Sequence, residues 1–162
     1  MNFRVGIGVD AHRREAGRPL FLGGVNIPSA FGLAAYSDGD VIAHAILDAM
    51  LGAANLGDKG TLFPDTDPKY KNIRSTELLT QAAKELSDSS FEIVNVDVSV
   101  MCEEPKITPY VSEMRAELSS ALVIEKSQVS IKATTLEQMG FTGRKEGIAA
   151  LAVVLIQSTG EF

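Results

Sequence analysis

Histidine and cysteine are scarce in this chain, with two His and one Cys among 162 residues. The lone thiol, Cys102, excludes an internal disulfide and fits a reducing, cytoplasmic setting. It follows an apolar run and is expected to be buried and inert. Basic side chains are also outnumbered, 15 Lys and Arg against 21 Asp and Glu, for a net charge of −6. No basic stretch of the kind that neutralises a phosphate backbone is present, so nucleic acid is excluded as a partner. No run approaches the roughly 20 apolar residues of a membrane span. The N-terminal run from Val5 is short, glycine-rich and ends in Asp10, unlike a secretory leader. Linkers, low-complexity tracts and internal repeats are missing as well. What remains is one domain, residues 1–162, long enough to bury a core.

The patterned segments point to an α+β domain. Residues 3–9 read as a strand with Val5, Ile7 and Val9 on one face. Gly6 and Gly8 on the other face suggest close packing against another backbone. Residues 13–18 read as a polar loop. Gly23-Gly24 between Phe21-Leu22 and Val25-Asn26-Ile27 is a two-residue hairpin signal. A helix is expected over about 40–54, with capping candidates Ser37, Asp38 and Asp40 before it and Asn55-Leu56-Gly57 at its end. The stretch from Gly57 to Pro68 is rich in turn residues and reads as an ordered functional loop. Further helices are expected over about 75–86 and 108–124, and strands over 91–102, 129–134 and 148–156. This order is not a simple βα alternation, so a mixed sheet packed against helices is favoured.

Both histidines lie near carboxylates. Asp10 and His12 are two apart on an extended chain and project to the same side. His44 opens the helix, and Asp48 stands one turn further on, placed to orient its imidazole. One carboxylate and two imidazoles suffice for a Zn²⁺ ion that keeps a fourth position open. Each residue alone is more often a solvated or hydrogen-bonded side chain than a ligand; scarcity is what singles them out. Tyr36-Ser37-Asp38-Gly39-Asp40 precedes the helix, where free N–H groups favour a phosphate or are simply capped. Asp58, Gly60, Phe63 and Asp65 offer carboxylates beside glycine, suited to polyol hydroxyls or to plain turn chemistry. Ala133-Thr134-Thr135-x-Glu137 follows a strand with oxygen groups that suit Mg²⁺ on phosphates, or cap a helix. Lys106 and Arg144 are the best-placed cations for phosphate.

Taken together, these pieces resemble a family. Gly8-x-Asp10-x-His12, Ser37-Asp38-Gly39-Asp40-Val41-x-x-His44, Leu56-Gly57-Asp58-x-Gly60, Phe63-Pro64-Asp65-Thr66-Asp67-Pro68, Pro105-Lys106, Lys132-Ala133-Thr134-Thr135 and Gly140-Phe141-Thr142-Gly143-Arg144-x-Glu146-Gly147 occur in order along almost the whole chain. In this the chain resembles the 2-C-methyl-D-erythritol 2,4-cyclodiphosphate synthases of the non-mevalonate isoprenoid pathway, which are phosphorus–oxygen lyases. The resemblance implies a homotrimer with active sites between subunits and 4-diphosphocytidyl-2-C-methyl-D-erythritol 2-phosphate as substrate. It implies Asp10, His12 and His44 as ligands of one Zn²⁺ per subunit, and Glu137 as a ligand of a second ion, Mg²⁺ or Mn²⁺. Cys102, Pro105, Lys106, Ala133, Thr134, Thr135, Phe141 and Arg144 match the cytidine and phosphate contacts. Asp58, Gly60, Phe63 and Asp65 match the methylerythritol site, Tyr36 and Ser37 the phosphate edge, and Ser37 and Thr135 the catalytic side chains.

The resemblance also implies that Phe3, Val5, Ile7, Arg144 and Glu146 ring a central cavity able to hold an isoprenoid diphosphate. The chain departs from the pattern where Tyr36 stands in place of a common His. Lys59 replaces an apolar residue, Cys102-Glu103-Glu104 a more neutral lead, and Lys145 a small residue. A different class of function, a trimeric module that binds cytidine nucleotides or isoprenoid phosphates without turnover, fits the same motifs.

Overall fold

The structure, a computed structural model, describes residues 2–160. The first strand, β1 (Phe3–Ala16), is followed by β2 (Leu20–Leu22), β3 (Val25–Ile27) and β4 (Phe31–Leu33). Helices α1 (Val41–Ala54), α2 (Lys59–Leu62) and α3 (Ser75–Asp88) come next. Strand β5 (Phe91–Met101), α4 (Val111–Leu122), β6 (Val129–Thr134), α5 (Gly140–Gly143) and β7 (Gly147–Ser158) complete the order. One five-stranded sheet runs β4-β1-β7-β5-β6, and β2 and β3 form a separate hairpin. Only the β5–β6 pairing in the large sheet is parallel, so the sheet is mixed. The expected α+β arrangement is what the chain adopts.

One face of the sheet is covered and one is not. Gly6, Gly8, Asp10 and His12 alternate onto the covered face of β1, paired with Val154, Ala152, Ala150 and Ile148 of β7. Helix α1 lies against this face, with α3 on its other side. It is buried at every position but Asp48 and Gly52, as expected of a helix apolar all round. The two glycines set its distance: a Cβ on Gly8 would stand 1.9 Å from the Ala45 carbonyl oxygen, and one on Gly6 1.9 Å from that of Ala49. With Ala45, Ala49 and Ala53 opposite, glycine and alanine let helix and strand backbones touch.

The start of α1 is fixed by Asp40. Its carboxylate accepts from Ile42 and Ala43 N–H as N-cap, and from Gly23 and Gly24 N–H across the hairpin turn at 2.9 and 2.7 Å. Burial and the Asp38 charge push its pKa up to about 6, against the pull of the Ala43, Gly24 and Gly23 donors. The helix ends at Asn55, whose φ of 59° is the left-handed cap that stops it.

Several boundaries differ from the sequence reading. Residues 13–16 are not a loop: they continue β1, Arg13 pairing with Gly147 of β7 and Arg14–Ala16 with β4, a strand the sequence did not signal. Arg14 stays extended because its guanidinium lies 4.0 Å from the Phe31 ring centroid and pairs with Glu104 at 2.9 Å. The turn-rich stretch contains the one-turn helix α2, and α4 begins at Val111 after a 3-10 turn over Thr108–Tyr110. The opposite face of β1 is open, with Val5 and Ile7 67% and 65% exposed and Phe3 and Val9 alike.

Candidate metal centre and substrate cavity

Asp10 and His12 reach the covered face near the end of the glycine seam, and α1 brings His44 to meet them. Asp10 Oδ2 is 2.8 Å from His12 Nε2 and 3.0 Å from His44 Nδ1, and the two nitrogens are 3.3 Å apart. An ion bonded at roughly 2.0–2.1 Å to three corners of a tetrahedron needs donors spaced on this scale. The two imidazoles and one carboxylate therefore fit Zn²⁺. Among the described residues this is the one group of three or more such side chains whose ligand atoms converge. Burial disfavours the charged form of Asp10, but hydrogen bonds and positive charge from His12 and His44 outweigh it, and its carboxyl sits far below the usual range.

The other imidazole nitrogen of His44 is held by hydroxyls. Its Nε2 is 2.8 Å from Ser75 Oγ and 3.1 Å from Ser37 Oγ, and Ser75 Oγ donates to buried Asp38. Asp38 also accepts from Ser75 N–H at 2.9 Å and Asp40 N–H at 3.1 Å. This chain of bonds leaves Nδ1 free to ligate, the outer support that metal-binding imidazoles ordinarily have. The expectation that Asp48 plays that part is corrected here. One helical turn puts Asp48 on the same side as His44, but Lys59 captures it: Asp48 Oδ1 accepts from Lys59 N–H at 2.8 Å and Oδ2 pairs with Nζ at 3.2 Å. Ser75 gave no signal in the sequence beyond its place at the head of a helix.

A cavity of about 370 Å³ opens in front of the two histidines. His12, Tyr36, Ser37, His44, Lys59, Gly60, Phe63 and Asp65 line it, so most of the residues expected at the phosphate and methylerythritol ends are brought together. Asp58 caps α2 beside it, accepting from Thr61 N–H at 2.8 Å, and that bond lowers its pKa. The Tyr36 hydroxyl points to the Asp67 carbonyl at 3.4 Å, a bond between neighbouring loops.

The other predicted residues do not line this cavity. Cys102, Pro105 and Lys106 follow β5, Ala133 and Thr134 end β6, and Thr135, Glu137, Phe141 and Arg144 come after it. These segments meet each other: Cys102 N–H donates to the Thr134 carbonyl at 3.0 Å. The Glu103 carboxylate accepts from Leu136 and Gln138 N–H at 3.2 and 3.4 Å. That contact steadies a turn in which Glu137 and Gln138 both have φ above 50°. Glu137 is exposed and stands alone, with no second ligand cluster around it among the described residues. Arg144 pairs with Glu146 at 2.9 Å, and Glu104 bridges Arg14 and Lys145. Burial pushes the Cys102 thiol up to about 11, consistent with an inert side chain.

The YgbB family profile matches residues 3–157. A 2-C-methyl-D-erythritol 2,4-cyclodiphosphate synthase of Pelotomaculum thermopropionicum is 51% identical over 158 residues, covering 98% of both chains. That of Symbiobacterium thermophilum is 54% identical over 152 residues, or 94% of this chain and 97% of the relative. Among solved structures, a 2C-methyl-D-erythritol-2,4-cyclodiphosphate synthase in its CDP-bound form superposes with a TM-score of 0.87 at 36% identity, over 95% of this chain and all of that one. The bifunctional IspDF of Campylobacter jejuni gives 0.93 at 44% identity, over 97% of this chain but 42% of its own. The chain belongs to the YgbB family.

Proposed function

We propose that the chain closes 4-diphosphocytidyl-2-C-methyl-D-erythritol 2-phosphate into 2-C-methyl-D-erythritol 2,4-cyclodiphosphate and releases CMP. An oxygen of the 2-phosphate attacks the β-phosphorus, the bond from that phosphorus to the CMP oxygen breaks, and CMP leaves with the electron pair. No water or redox partner enters the balance. The observation that carries this reading is the Asp10–His12–His44 triangle at the mouth of the 370 Å³ cavity, in a chain aligned end to end with synthases of that name.

Phosphoryl transfer needs positioning and charge neutralisation more than a protein nucleophile. An ion held by Asp10, His12 and His44, Zn²⁺ by its donor set, supplies Lewis-acid polarisation of a phosphoryl oxygen. Ser37 presents its hydroxyl between His44 and the cavity, where it can donate to a phosphate. Asp58 and Asp65, on the loop after α1, suit the methylerythritol hydroxyls, with Gly60 leaving room and Phe63 forming an apolar wall. Glu137 would offer one hard oxygen to a second ion, Mg²⁺ or Mn²⁺, that would neutralise charge on the substrate phosphates. The segments with Cys102, Pro105, Lys106, Ala133, Thr134, Thr135, Phe141 and Arg144 are assigned to the cytidine and phosphate end, with Thr135 at the transferring group. A solved relative described as CDP-bound supports a cytidine ligand.

That the cytidine segments do not line the metal-site cavity of their own protomer supports a site shared between copies. The open face of β1, with Phe3, Val5, Ile7 and Val9 exposed, supplies the surface for assembly. The assembly proposed is a homotrimer with this face inward, enclosing a cavity of suitable apolar character for an isoprenoid diphosphate near Arg144 and Glu146. Light scattering of the native chain at three protomer masses, and loss of that mass in Ile7→Glu, checks the assembly. Incubation with the substrate and Zn²⁺ plus Mg²⁺ should release CMP, and a chelator should stop it. Tight CDP binding with no CMP release overturns the catalytic reading in favour of a binding module.

A further inference from the structure

We propose that Lys59 is a positioning residue of the metal centre, one that restricts Asp10 to a single ligating oxygen. The inference rests on the metal reading of the triad. Asp10 presents Oδ2 to both histidines, while Oδ1 turns away and accepts from Lys59 Nζ at 2.8 Å. A carboxylate with both oxygens free can close on an ion with both, adding a fifth ligand that crowds the corner a substrate oxygen must take. With the ammonium on Oδ1, only Oδ2 is available.

Lys59 is itself held at both ends. Its main-chain N–H donates to Asp48 Oδ1 at 2.8 Å, and its Nζ reaches Asp48 Oδ2 at 3.2 Å. Asp48 projects from α1 one turn after His44, so one rigid helix fixes both a metal ligand and the lysine that restrains another. Lys59 lines the substrate cavity, and its side chain is about one-third exposed, at 32%. It is also the first residue of α2, directly after Asp58. The metal carboxylate and the loop bearing Asp58, Gly60 and Asp65 are therefore joined through this one side chain. A residue with an apolar side chain at position 59 would leave Oδ1 free.

Cobalt substitution tests this without reference to turnover. The full-length native protein and Lys59→Met are loaded with Co²⁺ and their visible spectra recorded at matched occupancy. The native protein should show the intense bands of four-coordinate Co²⁺. Lys59→Met should bind one Co²⁺ per chain with severalfold weaker bands of a five-coordinate ion, and Lys59→Arg, which keeps a donor for Oδ1, should restore the native intensity. Identical native and Lys59→Met spectra overturn the positioning role and leave the metal site standing. No Co²⁺ bound by the native protein overturns the metal reading and this inference together. If Lys59→Met does not fold, Lys59→Gln, too short to reach Oδ1, is read by the same two spectra.

Discussion

Replacing Gly8 by alanine tests whether the glycine seam sets the metal geometry. The added Cβ would stand 1.9 Å from the Ala45 carbonyl oxygen, 2.7 Å from Ala49 N and 2.9 Å from Ala45 C. All three are backbone atoms of a buried helix, so no side chain can swing aside. Carbon and oxygen approach no closer than roughly 3.3 Å without strain, so α1 must retreat by more than about 1 Å. Overpacking of a close-packed core costs typically 1–3 kcal/mol, and a clash against backbone belongs at the upper end, about 3 kcal/mol. For a chain of this size that lowers the unfolding temperature by about 10 °C. The displacement acts on the site too, because His44 directly precedes Ala45 and Gly8 lies two residues before Asp10. The 3.0 Å spacing of Asp10 and His44 opens, and Zn²⁺ affinity should fall by about ten- to a hundredfold. Thermal unfolding in chelator reads the packing and a competition titration with a Zn²⁺ indicator reads the site. Gly52→Ala is the control: it lies on the same helix, nothing stands within 4 Å of the new Cβ, and stability should rise by up to about 1 kcal/mol. A Gly8→Ala protein that melts within about 2 °C of native and binds Zn²⁺ unchanged would refute the argument.

Three further outcomes follow from the surroundings of the seam. Asp40→Ala removes the cap of α1 and orphans the Gly23 and Gly24 donors, for a loss of about 3–5 kcal/mol in denaturant unfolding. The same carboxyl has a folded pKa of about 6, raised above its unfolded value of 3.8, so the native state binds the extra proton between those values. Its contribution to stability therefore grows as pH falls from 6 toward 4 and disappears in Asp40→Asn; an equal slope in native and Asn proteins contradicts it. Ser75→Ala breaks the link from His44 to Asp38 and should weaken Zn²⁺ binding about tenfold in the same competition titration, an effect absent if Ser37 alone suffices.

Much of this arrangement was legible in the chain because its signals are local. Gly6 and Gly8 announced a backbone contact, and Asp40 and Asn55 marked the ends of α1 within one residue. The hairpin at Gly23-Gly24 was read from two residues. What stayed hidden depends on partners distant in sequence. Arg13, Arg14 and Glu15 look like loop, yet Arg14 is extended because Phe31 and Glu104 hold it from 17 and 90 residues away. Asp48 has the right spacing to serve His44, but spacing says nothing of a lysine eleven residues on that competes for it. Lys59 itself was visible only as a departure from a pattern, and Ser75 not at all.

The candidate metal ligands and the packing seam are one feature rather than two. Asp10 and His12 continue the face of β1 that Gly6 and Gly8 open, and His44 sits beside the first alanine of the helix that fills it. A side chain at either glycine would separate the strand from the helix and the carboxylate from the imidazole in the same movement. His12 and His44 line a cavity that is also walled by the segment from Lys59 to Asp65, anchored through Lys59 and Asp48 to that same helix. Chemistry at this site is therefore coupled to core packing on one side and to loop position on the other. Substitutions far from the ligands, along Ala45, Ala49 and Ala53, should be felt as changes in metal affinity before they are felt as loss of fold.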